Sequence, residues 1–150
     1  LPAFLVLTHA GFLFGWAKPV PYDPRNFKNE RLGTFAVAAA GVSANFILAI
    51  IFGFIIRFLP SFVVVPQNFY FITSAIVIVN LALGIFNLVP LPPLDGSKIL
   101  FSLLPNSAAS FLYVLEQYSI FLLLIFIIFF ADVLSPILAF LFELLTGLAL

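Results

Sequence analysis

The chain has 150 residues, 64% of them hydrophobic, with 21 Phe, six Lys or Arg, six Asp or Glu and a formal net charge of zero. So little polar surface excludes a water-soluble globular domain, and the neutral balance gives no support to nucleic-acid binding. The absence of Cys excludes disulfides, thiolate metal sites and Cys nucleophiles together.

The lipid bilayer is therefore the expected solvent, and the expected fold class is all-α, a polytopic transmembrane helical bundle in one integral membrane domain over residues 1–150. Residues 1–16 are apolar but shorter than the roughly 20 residues a crossing needs, so they read as a partial span. No Met stands at position 1 and Leu1 opens inside an apolar run, which leads us to expect that the chain continues upstream. A polar, Pro-rich loop follows from Gly15 to Gly33, where Pro19, Pro21 and Pro24 forbid a helix. Such a segment offers either an extended edge for a peptide to pair with or an interfacial loop anchored by Trp16 and Tyr22. Residues 34–58 and 68–89 are long enough to cross, with Pro60 and Pro66 bracketing the link between them. Residues 110–130 form a third expected crossing, and 133–150 a borderline fourth, interrupted by Pro136 and carrying Glu143.

Lys18, Arg25, Lys28 and Arg31 lie before the first full crossing and Lys98 lies two crossings later on the same side, whereas Arg57 sits at the opposite end. By the positive-inside rule, the face that carries Lys98 is expected to be cytoplasmic.

The most informative stretch is Asn87-Leu-Val-Pro-Leu-Pro-Pro-Leu-Asp95-Gly-Ser-Lys98. An ionised Asp beside a hydrocarbon core costs about 2.5 to 3.5 kcal/mol, so Asp95 is expected where something pairs with it, coordinates it or wets it. One reading makes it the cap of a short helix from about Ser97 to Leu104 along the membrane interface. The others make it a metal ligand or a proton carrier. Asn87, eight residues upstream, has an amide able to serve a developing oxyanion. In the first full crossing, Ala36, Ala38, Ala39, Ala40, Gly41, Ser43 and Ala44 read as a helix-packing surface. Asn45 follows Gly41 on one face, either in an interhelical hydrogen bond or facing a polar cavity near Asp95. His9 is followed by Ala10, Gly11, Phe12 and Leu13, so it belongs to no H-E-x-x-H pair and reads as a polar residue near a helix end. Glu116, Asp132 and Glu143 form no recognisable ligand set.

Several of these motifs occur together. Gly15-Trp-Ala-Lys-Pro-Val-Pro, Pro24-Arg-Asn-Phe, Ala40-Gly41-x-x-x-Asn45, Asn80 and Phe86-Asn-Leu-Val-Pro-Leu-Pro-Pro-Leu-Asp95-Gly resemble the site-2 protease family of intramembrane zinc metalloproteases, in its compact prokaryotic branch without a PDZ domain. The resemblance runs from about Leu1 to Leu104. It implies a zinc cofactor held by two His of an H-E-x-x-H helix and by Asp95 as third ligand, with Asn87 positioning or stabilising the scissile carbonyl and Gly41 and Asn45 binding substrate or packing near the site. The implied substrates are transmembrane segments of other proteins. The implied location is the prokaryotic inner membrane, with the active site toward the cytoplasm. The H-E-x-x-H helix is not in this chain and is expected upstream of Leu1. Val42 stands where the family often has Pro. Without such a helix, the alternatives are a non-catalytic homologue that binds membrane helices, or a small proton-coupled transporter using Asp95.

Overall fold

A computed structural model describes residues 27–149, and most of those residues are helical, with no strand among them. The expected all-α class is borne out. The readings of the residue 1–16 segment, of His9 and of the loop up to residue 26 fall outside the described residues.

Helix α1 spans Glu30–Phe58. It starts four residues before the expected Thr34 because Asn29 caps it: its Oδ1 accepts from the backbone N–H of Arg31 at 3.1 Å and of Leu32 at 3.2 Å. Glu30 places an acid in the first turn, where the helix dipole favours one. At the far end the chain tightens into a 3-10 turn, Leu59–Ser61, with Pro60 in its first positions.

Helix α2 spans Gln67–Leu88 and is capped by Pro66. It ends at Val89, whose extended backbone (ψ 129) is what the following Pro90 demands. Helix α3, Asp95–Leu103, is bounded in the same way: Leu104 is extended (ψ 146) in front of Pro105. After a 3-10 turn at Asn106–Ala108 come α4, Ala109–Gln117, and α5, Ser119–Thr146. Gly147 closes α5 in the left-handed conformation (φ 74), with its N–H on the Glu143 carbonyl at 2.8 Å.

The carboxy-terminal half departs from the two expected crossings over 110–130 and 133–150. The chain bends by 69° between 110–117 and 119–130, and from Ser119 a single helix runs through Pro136 to Thr146. Pro136 removes one backbone donor without ending the helix, as transmembrane helices tolerate. Glu30–Ser61 and Gln67–Leu88 are long and apolar enough to cross a membrane, and the bent pair supplies a third such segment if counted as one.

The core joins α1, α2 and α5 through Ala49, Ile56, Val77, Leu81 and Phe142. In lipid, close packing replaces the hydrophobic drive, and small residues permit it. A methyl placed on Gly53 would sit 2.8 Å from Leu145 Cβ, and one on Gly84 3.0 Å from the Phe46 ring. The other half of α1, expected as a packing surface, is divided. Ala38 is buried and Ala39 half-buried, while Ala36, Ala40, Gly41, Ser43 and Ala44 are exposed. Arg57 Nη1 donates to the Leu144 carbonyl at 2.7 Å, tying the end of α1 to the end of α5.

Candidate functional site

Between α2 and α3 the Pro-rich segment breaks one helical path into two. The break is tight because Gly96 has no side chain: a Cβ there would lie 2.3 Å from the Leu88 carbonyl oxygen and 2.4 Å from that of Val89. The amino end of α3 therefore abuts the last turn of α2, bringing Asp95 beside the turn that carries Asn87.

Helix α3 packs lengthwise against the first turns of α1. Its first residue meets α1 at Gly41, where a Cβ would be 3.4 Å from Asp95 Oδ2. Further along, Lys98, Phe101 and Ser102 share a cavity of about 310 Å³ with Glu30, Arg31 and Thr34 at the start of α1. So α3 runs antiparallel to the first turns of α1 and continues the direction of α2. Gly41 lies eleven residues into α1, which at 1.5 Å per residue is roughly 16 Å from its amino end. That contact sets the Asp95 carboxylate, half-buried, roughly three helical turns from the amino end of α1.

The helix begins at Asp95 rather than at Ser97, and no side chain caps it. The capping role expected for Asp95 as the plainest alternative is thus not the one it plays. Instead Oδ1 accepts from Lys98 Nζ at 2.9 Å, an i, i+3 ion pair on α3. With Lys98 38% and Asp95 30% exposed, such a pair contributes ~0–1 kcal/mol, so it orients more than it stabilises. The neighbouring Ser97 is buried and turns its hydroxyl onto the Leu94 carbonyl at 2.7 Å. Oδ2 faces Gly41.

Asn87 is half-buried in the last turn of α2, and its amide makes no hydrogen bond among the described residues. Asn45 is half-buried one turn beyond Gly41 on the same face of α1, likewise without a described hydrogen bond. Asn80 is satisfied within its own helix, donating to the Ile76 carbonyl at 2.8 Å. Glu143 lies at the opposite end of the bundle in a cavity with Arg57, Phe140, Leu144 and Gly147. Glu116 lines the cavity shared by α1 and α3, and Asp132 sits exposed on α5.

The structure thus brings Asp95, Gly41 and the Asn87 turn together. No group of three His, Asp or Glu side chains able to hold a metal occurs among the described residues. Asp95 alone fits a metal ligand there: a hard oxygen donor with one oxygen fixed by an ammonium and the other turned toward α1. Two residues were missed in the sequence. Lys98 carried a readable signal, a base three residues after an acid in a short helix. Gly96 carried a weaker one, since a Gly after Asp reads equally well as part of a cap.

Comparison with known proteins identifies a family. The model of Peptidase family M50 matches residues 63–131, a range that includes Asn87, Asp95 and Lys98. A Bacillus subtilis (strain 168) protein named "Putative zinc metalloprotease YwhC" is 36% identical over 120 residues, covering 75% of this chain and 53% of that protein. The chain therefore spans about half the length of that relative. No solved structure matches.

Proposed function

The chain belongs to peptidase family M50, and from that premise we propose that the protein it forms part of is an intramembrane zinc metallopeptidase cleaving transmembrane segments of other membrane proteins. The observation that carries the reading is the position of Asp95: a half-buried carboxylate at a helix break, with Oδ2 turned to the Gly41 face of α1. Asp95 is the ligand this chain contributes, and the remaining ligands, two His, come from an H-E-x-x-H helix elsewhere in the protein. Bound zinc supplies Lewis-acid activation of water and of a peptide carbonyl.

The residues of this chain do the rest. Asn87, whose amide has no described partner, donates to the carbonyl oxygen of the scissile bond. Gly41 leaves room beside the carboxylate, and Asn45 adds a polar group on the same face. The substrate enters locally unwound, because a helical backbone occupies its own carbonyls. Charge asymmetry supports a cytoplasmic orientation for the Asp95 end in a prokaryotic inner membrane.

The test is cleavage of a model transmembrane substrate by the full-length protein in detergent. Asp95→Asn should abolish cleavage while the protein still inserts and folds. Cleavage at the wild-type rate in that variant would refute the assignment.

A further inference from the structure

Helix α5 carries an acid, Asp132, in the middle of its apolar length. Two contacts fix the depth of that helix. Near its carboxy end the Leu144 carbonyl accepts from Arg57 at the end of α1, and toward its amino end Phe126 packs on Phe86 in the last turn of α2, ring centroids 6.0 Å apart. Asp132 lies between them, roughly 18 Å along the helix from Leu144 and roughly 9 Å from Phe126. A hydrocarbon core is about 30 Å thick, so the carboxylate stands near its middle. It also faces away from the protein core: Leu138, Leu141 and Phe142 make the inward side of α5, while Asp132 is exposed together with Ile128 and Phe129 one turn earlier. No hydrogen bond or ion pair reaches the carboxylate among the described residues. A second, independent feature lies beside it. Pro136 has no N–H, so the backbone carbonyl of Asp132, four residues earlier, lacks its helical donor, and the exposed Ser135 hydroxyl likewise has no partner among the described residues. A carboxylate, a carbonyl and a hydroxyl thus gather on one exposed face at a depth where lipid offers them nothing.

We propose that the Asp132–Ser135 face of α5 is a docking site for a transmembrane helix of a partner protein that carries a Lys or Arg near its midpoint. Charge complementarity selects that partner. Its cation pairs with the carboxylate, and its remaining N–H groups serve the Asp132 carbonyl and the Ser135 hydroxyl. Ile128 and Phe129 supply exposed apolar surface for the rest of the contact. A second copy of this chain fits poorly, because α5 contains no Lys, Arg or His and a symmetric contact through this face sets carboxylate against carboxylate. Within the chain, Arg57 is engaged by the Leu144 carbonyl at the end of the bundle. Neither the pairing nor its test depends on a metal.

The experiment measures energy transfer in phosphatidylcholine vesicles between the labelled full-length protein and a synthetic Leu-rich transmembrane peptide with one central Lys, against the same peptide with a central Leu. Wild type should bind the Lys peptide about tenfold more tightly, the scale of one polar contact between membrane helices. Asp132→Leu should bind the two peptides equally. Asp132→Lys should reverse the preference, favouring a peptide with a central Glu over the one with Lys, an outcome that a change in folding or insertion would not produce. Equal binding of the Lys and Leu peptides by wild type overturns the proposal, as it would if another part of the protein already covers this face. A Lys preference that survives in Asp132→Leu overturns it too. So does energy transfer between wild-type copies that is lost in Asp132→Leu while the Lys peptide shows no preference, since the occupant is then a second copy.

Discussion

Gly96→Ala is the sharpest probe of how the broken helix builds this site. A Cβ at position 96 would stand 2.3 Å from the Leu88 carbonyl oxygen and 2.4 Å from that of Val89, both backbone atoms that no rotamer change can move. Opening the closer contact from 2.3 Å to ordinary separation near 3.4 Å shifts the start of α3 by roughly 1 Å. Asp95 is the adjacent residue, so it moves with it. Overpacking of this kind costs about 1–3 kcal/mol of stability, and a 1 Å misplacement of a reacting constellation costs about 100-fold in rate. Gly41→Ala is the comparison, because its Cβ would meet Asp95 Oδ2 at 3.4 Å, an ordinary contact. Turnover of a model transmembrane substrate by the full-length protein, with thermal unfolding in detergent alongside, should show Gly96→Ala impaired about 100-fold and Gly41→Ala impaired at least tenfold less. The reasoning fails if Gly96→Ala turns over within threefold of wild type, or if Gly41→Ala proves the more damaging change.

Asn87→Ala separates carbonyl positioning from metal binding: turnover should fall roughly 100- to 1000-fold with zinc content near normal, and loss of zinc would place Asn87 in the metal shell instead. Single Cys residues at positions 29, 67 and 106 of this Cys-free chain report orientation through an impermeant thiol reagent. Positions 29 and 106 should react only after the inner face is exposed and position 67 in intact cells, whereas labelling of 29 from outside would reverse the topology.

Much of the architecture was legible because lipid imposes long apolar runs and Pro punctuates them. Pro60, Pro66, Pro90 and Pro105 all stand at helix boundaries, where a missing N–H or a restricted preceding residue decides the local structure. Pro136 shows the limit of that rule. In a continuous apolar helix its lost hydrogen bond does not end the element, whereas the bend at Tyr118 falls at a residue with no breaking character. The early start of α1 depended on one amide, Asn29, within a stretch otherwise rich in charge. Asp95 stood out as an acid beside an apolar run, but its surroundings were not readable. Its position along α1 comes from Gly41, 54 positions earlier in the chain, and from carbonyls that only Gly96 lets approach. Such contacts between distant residues leave no periodicity in the sequence. The Lys98 pairing was local, yet a lysine beside a boundary expected to be cytoplasmic is equally well explained by topology.

Zinc content tests the central claim most directly. Full-length protein purified in detergent, wild type and Asp95→Asn side by side, is dialysed against a weak chelator and assayed for metal per polypeptide. The account predicts about one zinc per wild-type chain and little in Asp95→Asn, since a catalytic site retains its metal through three protein ligands. Equal zinc in the two proteins, or none in the wild type, would contradict it.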